Sequence, residues 1–269
     1  MTLAIRALLL ATVGVFVRQA SALADAHVLF SDSFDDGDIS DWTVTTTEDA
    51  AFETSSTEYV SAPYSVHMQS TGNGKATGVS PSYTLELSRK YKVSFSLLVP
   101  HANNHWFEVF NNHQIYLVID QDTDLKAYKP SSRTVYPIAT LDADEWYLVE
   151  IKANPAADTY DVYLDEQFKT TCPMWTHSGW ETDFRIGDRA DGSTDKGEAY
   201  WDDFVITQGP LGDLDYDGDV DLDDFAIFAE ALSGPGQPIA PSADPAADLD
   251  GDDDVDLDDF AMFQVQFTG

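Results

Sequence analysis

A chain of 269 residues, 43% of them apolar, is long enough for one medium domain and a small second module. Its 48 acidic and 14 basic residues leave a formal net charge of −34, which argues against nucleic acid and anionic membrane as partners and favours divalent cations. One cysteine, Cys172, excludes a disulfide-built fold and reads as a small apolar residue near a strand end.

Residues 1–26 read as a secretory signal peptide. Arg6 gives a positive start, residues 7–17 form an unbroken apolar run, and the small residues at 22–26 supply a cleavage site. Eleven apolar residues are too few to span a bilayer. The mature chain is therefore expected to be exported, secreted or at the cell surface, with no membrane segment after cleavage.

From 27 to 208 the apolar residues alternate with period two. YKVSFSLLVP (91–100), HQIYLVID (113–120), WYLVEIK (146–152), YDVYL (160–164) and EAYWDDFVI (198–206) are short and rich in Val, Ile, Tyr, Phe and Trp. Turn signals separate them at 71–74, 111–112, 154–155 and 191–192. The pattern predicts a mainly β domain of two antiparallel sheets packed face to face. Two hairpins can be placed: one around Asn111-Asn112, and one joining 146–153 to 159–164 through the turn at 154–158. A second tight reversal is expected at Asp165-Glu166.

DSFDDGDISDWTV (32–44), EWYLVEIKANPAADTYDVYLDEQ (145–167), FRIGDR (184–189) and GEAYWDDFVI (197–206) resemble segments of the concanavalin A-like lectin/glucanase superfamily, with a laminin-G-like hairpin. The resemblance implies a jelly-roll sandwich over 27–208 and a polysaccharide ligand or substrate. It also implies one structural ion held by Asp32, Asp35 or Asp203. The Glu-x-Asp-x-Glu strand of the glucanases is absent; Glu181 and Asp183 are a partial echo, and Glu108 alternates with Trp106 and Phe110. His101, His105 and His113 read as surface or cleft-lining residues. Sugar binding asks for flat aromatic rings beside amides and imidazoles. Trp106 next to Asn103, Asn104 and His105 fits, as do Trp175 and Trp180 flanking His177. Trp42, Trp146 and Trp201 read as core. A glycoside hydrolase or polysaccharide lyase with an unrecognised site, and a non-catalytic adhesion protein, are the alternatives to a binding module.

Residues 209–212 are a linker. The tail, 213–269, contains one pattern written twice: DLDYDGDVDLDDFAIF (213–228) and DLDGDDDVDLDDFAMF (248–263). From Gly209 onward there are 17 acidic residues and no basic one. Each repeat places acids at positions 1, 3, 5, 7, 9 and 12 of a loop, the EF-hand-like spacing that wraps oxygen ligands around calcium. The candidate ligands are Asp213, Asp215, Asp217, Asp219, Asp221 and Asp224, then Asp248, Asp250, Asp252, Asp254, Asp256 and Asp259. Position 7 (Asp219) is expected to act through its backbone carbonyl. Val220 and Val255, at position 8, are expected to form a short two-stranded link between the loops. Position 6 is Gly218 in the first loop but Asp253 in the second, where a left-handed backbone costs about 1 kcal/mol and weakens the site. Helices are expected at 224–232, burying Phe225, Phe228 and Leu232, and at 259–267, burying Phe260, Phe263 and Phe267. Neither loop has an entering helix.

Paired loop-and-exiting-helix repeats resemble the type I dockerin module. That resemblance implies two calcium ions, a cohesin-like or other extracellular protein partner, and a role in polysaccharide catabolism. At positions 10 and 11, where a Ser-Thr-like pair is usual, this chain has Leu222-Asp223 and Leu257-Asp258.

Overall fold

The computed structural model describes residues 27–268 except 48–49, 72–73, 75, 87–88, 101–106, 112–114, 120–122, 130–131, 133, 175–182 and 189–195. The signal peptide reading (1–26) and the residues Trp106, Trp175, His177 and Trp180 lie outside the described residues, as do His101, His105 and His113.

Fifteen strands build two antiparallel sheets. One holds β1 (His27–Asp32), β3 (Ala50–Ser55), β4 (Ser65–Thr71), β6 (Tyr91–Leu98), β11 (Trp146–Asn154), β12 (Thr159–Leu164), β13 (Gln167–Pro173) and β15 (Lys196–Gln208). Its order is β13-β12-β11-β6-β15-β4-β3, with β1 also on β15. The other holds β2 (Thr43–Thr46), β5 (Ala76–Val79), β7 (Phe107–Asn111), β8 (Ile115–Ile119), β9 (Asp124–Lys129), β10 (Thr134–Thr140) and β14 (Phe184–Asp188), in the order β10-β9-β8-β7-β14-β5-β2. The period-two pattern decides this. Val93, Phe95 and Leu97 of β6, Val149, Ile151 and Ala153 of β11, and Tyr160, Val162 and Leu164 of β12 all enter one buried cluster, while the residues between them face outward.

β15 is the axis of the larger sheet. Its first half pairs with β4, its second half with β1, and both halves with β6 on the other side. The change of partner falls at a bulge between Asp202 and Val205, with Asp203 in the left-handed region at φ 49°. The bulge leaves Asp202 fully buried, and its carboxylate accepts from the backbone N–H of Val60 (2.7 Å), Ser61 (3.0 Å) and Asp203 (2.8 Å). Burial, and then the neighbouring Asp203 charge, push Asp202 up to about 6, opposed by those N–H donors. Phe204 follows and is the aromatic hub, with ring centres 4.8 Å from Phe184, 5.6 Å from Trp42 and 5.8 Å from Phe95.

The hairpin joining β11 to β12 forms as expected. Residues 155–157 make a turn of 3₁₀ helix capped by Asn154, and Asp165 and Glu166 adopt φ 50° and 65° to reverse into β13. The hairpin at Asn111-Asn112 is corrected: Asn111 pairs with Ile115, so the connection is the three residues 112–114. Cys172 is buried on β13 as a free thiol, and burial raises it to about 12. Trp42 and Trp201 are buried as expected, whereas Trp146 is only half-buried.

The tail holds α1 (Leu222–Ala231) and α2 (Leu257–Gln266). Both start two residues before the expected positions. Asp221 and Asp256 are the N-caps, and each completes a capping box with the acid three residues on. The loop's ninth residue thus also starts its helix. Phe228 and Phe263 are buried with ring centres 5.2 Å apart, and Phe225 lies 6.0 Å from Phe260. Leu232 departs from the expectation: Ala231 takes the buried position, and Leu232, past the helix end, is 52% exposed. Phe267 likewise lies beyond α2 and is 40% exposed.

Gly78 on β5 is required by Phe52. A Cβ there would fall 2.2 Å from the Phe52 ring. Gly78→Ala is expected to destabilise the sandwich by about 1–3 kcal/mol through overpacking. The check is a lower denaturant midpoint at unchanged slope, partly restored when Phe52→Leu is added.

Candidate metal centres and sandwich face

In the tail the acidic repeats fold into two loops of the same design, each built on its twelfth residue. Asp224 is fully buried; its Oδ1 accepts from the backbone N–H of Leu214 (2.6 Å) and Asp215 (3.1 Å), and its Oδ2 from Asp221 (2.8 Å). Asp259 repeats this with Leu249 (2.7 Å), Asp250 (3.2 Å) and Asp256 (2.8 Å). One carboxylate thus pins the start of each loop to its ninth residue. The first residue pulls in the near side: Asp213 accepts from Tyr216 N–H at 2.8 Å, and Asp248 accepts from Gly251, Asp252 and Asp253.

The other acids then converge. Ligand-capable oxygens lie within 4.8 Å of one another in four trios: Asp213, Asp215 and Asp224; Asp217, Asp219 and Asp224; Asp248, Asp250 and Asp259; Asp254, Asp256 and Asp259. Asp221 and Asp252 fall outside these trios. Asp219, expected to offer only its carbonyl, also brings its side chain into the group. One buried carboxylate oxygen in each loop, Oδ1 of Asp219 and Oδ1 of Asp254, accepts no hydrogen bond. Burial pushes Asp213 up to about 7, with the Asp224 charge next; burial likewise pushes Asp215 up to about 6. Undonated buried oxygens among repelling carboxylates are what a hard cation would satisfy, so the residues present fit calcium.

Position 8 behaves differently from the expectation. Val220 and Val255 are both buried, but their carbonyls do not join the two loops into a strand pair. The Val255 carbonyl accepts from Ser233 and Gly234 N–H, both at 3.0 Å, just after α1. The Val220 carbonyl accepts from Thr268 N–H at 2.9 Å, just after α2. Each loop is therefore held by the segment leaving the other repeat's helix.

On the sandwich, the side of the seven-stranded sheet away from the core carries the half-buried Tyr128, packed on Tyr116, which is 7% exposed. Arg185 pairs in register with position 110, and position 110 with Tyr116. The Tyr116 and Tyr128 rings are 5.4 Å apart. Arg185 also pairs with Asp183 at 3.3 Å. The eight-stranded sheet presents a second polar group: His67 stacks on Tyr200 at 4.6 Å, and Glu198 accepts from Tyr200 Oη at 3.0 Å and lies 3.0 Å from His67 Nε2. Asp32, Asp35 and Asp203 line a cavity of about 400 Å³ with Asp36 and Asp41. Asp32 is already committed to Phe34 N–H and Trp42 Nε1–H, both at 2.8 Å, and the convergent acidic trios among the described residues all lie in the tail.

Sequence reasoning missed Tyr216, at position 4 of the first loop, and Lys90. The signal for Tyr216 was present: it is the one aromatic residue within either twelve-residue loop.

No protein-family model and no curated protein sequence matches the chain. Solved structures do. A sialidase aligns at 14% identity with a TM-score of 0.53, covering 77% of this chain and 21% of the sialidase. A carbohydrate esterase of the Shiga toxin-encoding bacteriophage phi24B aligns at 11% identity and 0.52, covering 69% of this chain and all of that one. An endo-β-1,4-glucuronan lyase of the fungus Trichoderma reesei aligns at 13% and 0.50, covering 70% and 98%. The chain thus spans about a fifth of the sialidase but essentially the full length of the other two. At these identities the likeness shows the antiparallel sandwich fold.

Asp253 sits in the left-handed region at φ 72°, as its place at position 6 predicts. Asp253→Gly is expected to relieve about 1 kcal/mol of backbone strain and tighten calcium binding at the second loop about 5-fold. Calorimetric titration in an Asp213→Ala background isolates that site.

Proposed function

We propose that this is an exported protein whose sandwich binds or processes polysaccharide and whose dockerin-like tail, loaded with two calcium ions, tethers it to an extracellular protein. The observation that carries this reading is the convergence of acids in the two tail loops, each with one buried carboxylate oxygen that no donor serves. In the first loop Asp213, Asp215, Asp217, Asp219 and Asp224 hold the ion; in the second, Asp248, Asp250, Asp254, Asp256 and Asp259. Calcium supplies the positive charge that lets these acids pack and so stabilises the tail. The partner is a cohesin-like domain or another extracellular protein.

The polysaccharide half rests on the fold, shared with a sialidase, a carbohydrate esterase and a glucuronan lyase, and on the half-buried Tyr128 ring, which packs on the buried Tyr116. A tyrosine ring offers a flat apolar face for pyranose C–H groups. A separate cluster, on the outward side of the eight-stranded sheet, is the candidate for processing at a site of its own. The His67 imidazole lies between Glu198 and Glu53, at 3.0 Å and 3.9 Å, with Tyr200 donating to the same Glu198. These groups can hold and move a proton between Nε2, the Glu198 carboxylate and the phenol.

Two measurements test the reading. Calcium titration of the full chain, followed by helical circular dichroism, is expected to show a saturable gain below millimolar concentration that Asp224→Ala and Asp259→Ala each reduce; a flat response rejects the metal. A glycan screen is expected to give binding that Tyr128→Ala weakens about 10-fold or more. New reducing ends or unsaturated products that vanish in His67→Ala assign catalysis, whereas no retention of any glycan rejects the polysaccharide half.

A further inference from the structure

The strongly acidic tail meets the sandwich through two of the chain's few lysines. Lys90, just ahead of β6, is 7% exposed. Its Nζ donates at 2.5 Å to the Leu214 carbonyl and at 2.5 Å to the Asp244 carboxylate, and it lies 4.6 Å from the centre of the Tyr216 ring. Lys152 of β11 sits 5.4 Å from the same ring. Asn154, at the end of β11, donates to the other Asp244 oxygen at 2.9 Å. A buried ammonium is costly unless its charge and its protons are all matched, and here a carbonyl, a carboxylate and a ring face match them.

The Leu214 and Tyr216 contacts fall on the first loop, whereas Asp244 caps the 3₁₀ turn 245–247 that leads into the second loop. Leu214 and Tyr216 are positions 2 and 4 of the first loop, where the backbone N–H groups are held by Asp224 and Asp213. Tyr216 is in the left-handed region at φ 71°, a conformation a tyrosine does not adopt without support. The equivalent residue of the second loop is Gly251, and residues 250–253 are exposed. The two loops are alike in sequence, but Lys90 and Lys152 reach residues of the first loop itself, whereas Asn154 meets the approach to the second at Asp244.

We propose that docking of the tail on the sandwich and calcium loading of the first loop are one coupled equilibrium. This inference rests on the calcium reading above. Lys90 and Lys152 hold positions 2 and 4 in the arrangement the first loop's acids need, and Asn154 steadies the Asp244 carboxylate that Lys90 shares, so the docked tail binds the ion more tightly than an undocked one. Coupling is reciprocal: the ion in the first loop favours docking by the same factor.

The test uses the full chain and calcium alone. Calorimetry in an Asp248→Ala background reads the first loop, and in an Asp213→Ala background the second. Asn154→Ala loosens Asp244, and with it the Lys90 clasp, without changing charge, and is expected to weaken the first loop about 5-fold. Lys90→Met removes more of the clasp and is expected to weaken it further, even though losing a nearby positive charge would by itself tighten the site. If Lys90→Met does not fold, as judged by near-ultraviolet circular dichroism, Asn154→Ala decides. In scanning calorimetry, calcium is expected to raise the melting temperature of the sandwich in Asp248→Ala. Unchanged first-loop affinity in Asn154→Ala, or a sandwich that melts at the same temperature with and without calcium, overturns the coupling while leaving the calcium reading intact. No calcium binding in either background overturns both.

Discussion

Seventeen carboxylates in the last 61 residues, with no lysine or arginine among them, set the constraint that governs this molecule. Like charges at that density repel any compact arrangement. The tail answers with its own backbone. Asp224 and Asp259 each gather three N–H groups, Asp221 and Asp256 cap helices, and Asp213, Asp215, Asp217 and Asp219 in the first loop and Asp248, Asp250 and Asp254 in the second are left converging on two points. Hydrogen bonding fixes where the charges are; it does not neutralise them. The sandwich contributes two ammonium groups at the joint, and the rest of the imbalance is what a divalent ion would remove.

The sandwich obeys a different constraint. β15 has neighbours on both sides from Tyr200 onward and must change one of them midway. Asp202 and Asp203 absorb that change. The bulge re-aims the strand, and the buried Asp202 carboxylate ties the 60–61 segment to it. Phe204 can then enter the core at the point where Phe30, Trp42, Phe95 and Phe184 meet. An acidic pair in the middle of the strand thus serves the packing of the residue that follows it.

Much of this was legible in the sequence because it is local. Period-two alternation located β6, β8, β11, β12 and β15, Asp165-Glu166 the second reversal, and the spacing of the acids the two loops. Asp253 was flagged by its place at position 6, and its φ of 72° follows. What escaped was whatever depends on two distant segments meeting. The helix starts were misplaced because Asp221 and Asp256 cap helices as well as lying in the loops. Leu232 fits a helical stripe but lies past the last turn, where Ala231 is already close enough to fill the space. The Lys90 to Leu214 contact spans 124 positions, and no periodicity encodes such a pairing. The partners of Val220 and Val255 were invisible for the same reason.

The exchange of those partners has a consequence for assembly. Thr268 closes on Val220 across 48 residues through both its N–H and its hydroxyl, and Ser233 and Gly234 close on Val255. Neither repeat is complete by itself; each is finished by chain that has already passed through, or not yet reached, the other. A chain emerging from its N-terminus can fold the sandwich as soon as β15 has appeared. The first loop must wait, its Val220 carbonyl open, until the second helix has been made and its end has come back. During synthesis the Val220–Thr268 closure is thus among the last contacts that can form.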